Sequence, residues 1–221
     1  NLSGSFEVFN EDLQADTVDI ERKGFSTSVY FGAADDYYHR VGYDLAKNST
    51  TQKSSEATSL TGEENESLTS SSVRYTLGRR TLDNRYDPTE GSLFEITEEY
   101  SGLGGDVNFL KTRLRSAYYK PFAFRKYVLG LRGEIGYVDG LGEKISQSAR
   151  FSLGGRRLRG FDGGGVGPRD IGSGSAVGGN KVYSGSVEII SSLGLSDDLG
   201  VRWTVFSDFG SVWDTDYPDG V

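Results

Sequence analysis

Between Phe109 and Tyr119 the chain alternates, with Leu110, Leu114 and Tyr118 on one side and Lys111, Arg113 and Arg115 on the other. Period two is the side-chain repeat of a β-strand. A row of three cations at that period does not fit a dry core. It suits the wet inner wall of a barrel, and the solvated face of a soluble sheet would also accept it.

The same period recurs along the chain. Leu2, Phe6 and Val8 share a face, as do Phe25, Val29 and Phe31, then Val41, Tyr43 and Leu45, and then Val73, Tyr75 and Leu77. Phe94, Ile96 and Tyr100 follow. Leu129, Leu131, Ile135 and Tyr137 then oppose Gly130, Arg132, Glu134 and Gly136. Tyr183, Val187 and Ile189 oppose Ser184, Ser186 and Glu188, and Val201, Trp203 and Val205 oppose Arg202, Thr204 and Asp208. This gives about nine strands in an all-β chain. The acidic stretch Glu11 to Glu21 reads as a loop. Asn48 to Thr69, built mostly of Ser, Thr, Glu, Asn and Gln, reads as exposed and mobile. The turn Asp83 to Gly91 is punctuated by Pro88 and Gly91.

Hydrophobic residues make up only 35% of the 221, and no run approaches the ~18 apolar residues of a membrane helix. A membrane barrel hides its lipid-facing side in such a profile, because each strand is apolar only at alternate positions. An incomplete antiparallel transmembrane β-barrel is the fold this pattern points to, with a soluble all-β protein as the alternative. With no methionine, Asn1 does not read as a translation start, and residues 1–221 read as part of a longer chain.

One stretch breaks the alternation. Phe151 to Pro168 reads FSLGGRRLRGFDGGGVGP, with Arg156, Arg157 and Arg159 in four positions and glycine throughout. Glycine costs about 1 kcal/mol per helical position, so this is no helix. It lies inside a long connection, Asp139 to Asn180, that must carry charge and pack closely.

Several chemistries are excluded or weak. There is no cysteine, so no thiolate metal site and no cysteine nucleophile. His39 is the single histidine, which rules out a multi-histidine metal cluster, and nothing near it suggests a serine triad. Gly163 to Gly167 imitates a phosphate cradle, but Pro168 and Arg169 stand where a P-loop needs Lys-Ser/Thr. Asp214, Asp216 and Asp219 imitate a calcium loop and fail its spacing. The net charge of −8 argues against a nucleic-acid binder. No catalysis, metal or cofactor is assigned.

RRLRGF, then GVGPRD and VGGNKVYSGSVEI, resembles the outer-membrane protein assembly factors of the BamA type. DNRYDPTEGS resembles that family's periplasmic turn, YVDGLGEK the entry to its long extracellular loop, and FSDFGSVWDT the strand after that loop. Leu158 stands where the family more often has Val. The resemblance implies a partial outer-membrane barrel over 1–221. In it, the loop 139–180 folds into the lumen and Arg159 meets acids on the wall. Those acids map to Glu188 and Asp208, both on the inward parity of their strands. Gly160 and Phe161 complete the loop motif, Phe161 as a packing plug. The family's barrel has about sixteen strands. The resemblance therefore places the periplasmic repeats, the first four strands and the last three outside this stretch, together with the edge strands of the lateral gate.

The function implied is non-enzymatic: helping β-barrel clients fold into the bacterial outer membrane by barrel opening and edge-strand pairing. The partners implied are the lipid bilayer, unfolded outer-membrane clients and, in the full-length parent, accessory assembly lipoproteins. A polypeptide-exporting or autotransporter-assembling relative is the first alternative. A passive porin and a soluble β-sandwich or propeller come after it.

Overall fold

The computed structural model describes residues 2–14, 18–52, 67–142, 144–171, 174–192 and 201–216. Nine strands form one sheet in sequence order, each antiparallel to the next. They are β1 (Leu2–Gln14), β2 (Val18–Gly32), β3 (Tyr37–Gln52), β4 (Ser67–Arg80), β5 (Gly91–Gly105), β6 (Phe109–Phe122), β7 (Tyr127–Gly140), β8 (Lys181–Ser192) and β9 (Arg202–Trp213). The sheet is not closed, since β1 and β9 each pair on one side only.

The register puts the alternation to use. Leu110 pairs with Tyr100, Leu114 with both Ile96 and Ile135, and Tyr183 with Ile135. These side chains share the outer face. Ile135 is 60% exposed and Val205 62%, which for a β-branched side chain calls for lipid rather than water. Aromatic pairs mark two levels on that face. Tyr127 meets Trp203 edge-on at 6.1 Å, and Tyr183 meets Trp213 at 5.7 Å. Trp203 and Trp213 are ten positions apart on β9. At ~3.3 Å per residue and a tilt of about 40°, that spans about 25 Å along the membrane normal, the height of a barrel's apolar band.

The strands outrun their apolar centres. The described part of the acidic stretch expected to be a loop is ladder instead: Asn10 pairs with Lys23, Glu11 with Arg22 and Leu13 with Ile20, while 15–17 lie outside the described residues. The polar stretch after Asn48 continues β3 to Gln52 and rejoins as β4 at Ser67, while 53–66 lie outside the described residues. The Gly-rich segment 102–105 belongs to β5. Backbone hydrogen bonds sustain a ladder beyond the membrane whatever the side chains, so polarity misplaces the ends.

The inner face is not uniformly wet. Phe109, Val138, Val182 and Val212 face inward near the long-loop ends of β6–β9. They are buried against Ile145, Ala149, Phe151, Leu153 and Leu158 of the loop. The watery wall expected from Lys111, Arg113 and Arg115 thus gives way to a small dry core where the loop seats.

Candidate functional site

The loop between Gly140 and Lys181 lies against the inner wall, and short bridges give it shape. Phe151 pairs with Gly179, Leu153 with Val166 and Arg169 with Ala176. Two glycines are required by geometry. Gly154 has φ +139°, and a Cβ there would stand 1.8 Å from the Asp162 carbonyl oxygen. Gly136, on β7, leaves the gap in which the Phe151 ring lies, and a Cβ would approach its Cζ to 2.5 Å. At Gly136 the wall carries no side chain, and the Phe151 ring takes that space.

Arg159 occupies the centre of the site. Its Nε donates to Asp208 Oδ2 at 2.7 Å and its Nη2 to Asp208 Oδ1 at 2.6 Å, the two-pronged fit of a guanidinium to a carboxylate. Its backbone N–H also donates to Asp208 Oδ2, at 3.0 Å. Nη2 lies 2.7 Å from Glu188 Oε1 and donates to Ser186 Oγ at 2.9 Å. The guanidinium lies over the Phe206 ring, 3.4 Å from its centroid. The side chains of Asp208 and Glu188 are only 4% and 8% exposed. Hydrogen bonding to Asp208 above all, then to Glu188, raises the Arg159 pKa above its ordinary value. Arg132 holds Glu188 from the other side at 2.6 Å.

The other predicted residues divide. Gly160, at φ +91° with open space where a Cβ would point, turns the chain after Arg159. Phe161 is 52% exposed and plugs nothing; its carbonyl accepts from Gly155 N–H at 2.8 Å. Packing falls instead to Phe151, Leu153 and Leu158, which are 2%, 0% and 4% exposed. In the GGGVG run, the Gly165 amide donates to Asp162 and the Val166 amide to Leu153, so both are used internally. Asp216 accepts from Ile145 N–H and from Asn180, bracing the root of the loop; Asp219 lies outside the described residues. Among the described residues no three metal-binding side chains come together.

Three further participants were not among the site residues expected from the sequence. Glu134 is shared by Arg113 at 3.5 Å, Arg115 at 3.3 Å and Arg157 at 3.2 Å. Lys111 donates to the Ala149 carbonyl at 2.6 Å and sits 4.4 Å from the Phe151 centroid. Phe206 is the platform under Arg159. The alternation places Glu134 and Lys111 on the inner face. Their partners depend on register and on the path of the loop.

The Omp85 superfamily domain matches residues 1–220. The outer membrane protein assembly factor BamA of Neorickettsia risticii is 28% identical over 87% of this chain and 26% of its own length. BamA of Neisseria meningitidis serogroup B is 31% identical over 62% of this chain and 18% of its own. The crystal structure of BamA from Haemophilus ducreyi lacking POTRA domains 1–3 aligns with a TM-score of 0.80 at 21% identity. That alignment covers 96% of this chain and 47% of that one. The chain therefore spans 26% and 18% of the length of these two curated relatives.

Proposed function

The chain belongs to the Omp85 superfamily and is of the BamA type, and on that premise we propose that it is a barrel segment of an outer-membrane protein assembly factor. The parent acts without covalent chemistry. It opens its barrel so that a client strand pairs with an exposed edge. Pairing satisfies the client's backbone as it enters lipid, where each unmatched N–H or C=O costs several kcal/mol. The clients are unfolded outer-membrane proteins, and accessory assembly lipoproteins work with the full-length parent.

The observation that carries this reading is the seating of Arg159 on Asp208 and Glu188, on adjacent strands. One guanidinium ties the loop to both. Removing a partner from a fully buried pair costs about 3–5 kcal/mol, and the Arg159 side chain still sees some water, so the low end applies. The test is Arg159→Ala in the full-length parent, in proteoliposomes. The loop should become protease-sensitive and client insertion should fall. Wild-type protease resistance with normal insertion overturns the proposal.

Export of a polypeptide through the lumen is the second reading. It is favoured by the inner wall of β2–β5, against which the loop makes no hydrogen bond or ion pair among the described residues. A parent that passes a client chain across the membrane without inserting it would decide for export.

A further inference from the structure

Beside the seated loop the inner wall carries a run of cations that do not contact Arg159, although Lys111 touches the loop and Arg113 and Arg115 share Glu134 with its Arg157. Two cavities adjoin there, of about 410 and 400 Å³, and Arg40 lines both. Arg80 and Arg85 line the second, toward the short turn between β4 and β5, while Lys111, Arg113 and Arg115 line the first. Together they form a cationic track running from the short-turn end up the inside of the sheet. Residues 1–221 together carry −8, so this is a local segregation of charge.

The acids nearby do not neutralise the track. Glu134 answers three guanidiniums at once. Glu99 is taken by Arg74, which also holds Asp44, each at 3.3 Å. Glu95 accepts from the Tyr38 hydroxyl and lies 3.9 Å from Arg80. Arg40 and Arg85 make no ion pair among the described residues. Lys111 has a carbonyl rather than a carboxylate for a partner.

Spacing narrows the ligand. Lys111, Arg113 and Arg115 stand at alternate positions of one strand, roughly 6.6 Å apart. Alternate side chains of any extended polypeptide repeat at that same distance. A single small anion would meet one or two of these cations. An extended chain with acids at alternate positions would meet the row.

We propose that this track binds acidic segments of polypeptide in extended form, in the lumen and alongside the seated loop. The inference rests on the assembly reading above and adds a substrate class to it: client segments rich in Asp and Glu.

The experiment uses the full-length parent in detergent micelles and two labelled peptides of equal length, one alternating Glu with Ser and the other Lys with Ser. Fluorescence anisotropy should show the acidic peptide binding and the basic one not, with affinity falling as salt rises. Arg40→Gln together with Arg115→Gln should weaken acidic-peptide binding by about tenfold, or ~1.4 kcal/mol. Thr97→Glu places a negative charge within the first cavity without removing any partner of Glu134, and should weaken binding as well. Equal binding of the two peptides, or acidic-peptide affinity unchanged in both variants, overturns the inference. A parent that inserts clients yet does not distinguish the peptides refutes this inference alone. One that binds the acidic peptide but inserts nothing refutes the assembly reading alone.

Discussion

Asp208 and Asp44 are both inward-facing aspartates held by an arginine, yet they sit in different surroundings. Asp208 is 4% exposed and gripped through two side-chain nitrogens and one backbone amide. Asp44 is 16% exposed, and its partner Arg74, at 3.3 Å, is 41% exposed and divided between two carboxylates. The first lies on the half of the wall that the loop covers, the second on the half it leaves open. A loop laid across a barrel wall therefore changes what a charge costs. Under it, a carboxylate as buried as Asp208 is held by short, directed hydrogen bonds. Away from it, water and neighbouring charges share the task, and exposed pairs contribute about 0–1 kcal/mol.

Substitutions can break or sharpen this contrast. The largest effect should come from Phe151→Ala, which empties the dry core between loop and wall. Burial of this kind makes Phe→Ala cost about 3–5 kcal/mol, read as a lower midpoint of loop protection in a protease-and-heat titration of the parent. A midpoint that does not move would mean that the loop is held by ion pairs alone. Next comes Asp208→Asn, which keeps the shape but leaves Arg159 with Glu188 as its one carboxylate. A loss of about 1–3 kcal/mol is expected. A cycle with Arg159→Ala should show strong non-additivity, and simple addition would refute direct coupling.

On the open half, Arg74→Gln should shift the same midpoint by less than about 1 kcal/mol. A shift as large as that of Phe151→Ala would erase the distinction between the halves. The smallest effect belongs to neither half. In the turn between β4 and β5, Asp83 accepts from Thr89 Oγ1 at 2.6 Å and from the Thr89 and Glu90 amides. The Thr89 hydroxyl foremost, with these amides, lowers its pKa to about 2. A depressed carboxyl contributes stability above its unfolded pKa of about 3.9 and loses it as pH falls toward the folded value. Amide exchange at Thr89 and Glu90 should therefore quicken between about pH 4 and pH 2, and Asp83→Asn should remove that dependence.

Much of this architecture was legible in the order of residues, for a physical reason. Lipid outside and water inside impose period two, so the nine strands and the inward parity of Glu188 and Asp208 follow from counting. Strand ends did not follow, because a ladder such as Asn10 with Lys23 needs no apolar side chain. Nor did the packing of the loop. Phe161 stands beside the arginine motif and looks like its anchor, while Phe151 is the ring that fills the notch at Gly136. The seat is made by a missing side chain on another strand, which a local reading does not reveal. Glu134 shows the same limit, since its three arginines come from β6 and the loop and meet only through register.

Among the described residues, the side-chain hydrogen bonds and ion pairs from the loop to the sheet all fall on β6, β7, β8 and β9. The loop thus splints four staves together and leaves β1 to β5 unbraced. Flexing of the sheet should concentrate along a crease between β5 and β6, with β6 to β9 moving as a rigid plate. Spin labels on β2 and β9 would then report a broad spread of separations, and labels on β6 and β9 a narrow one.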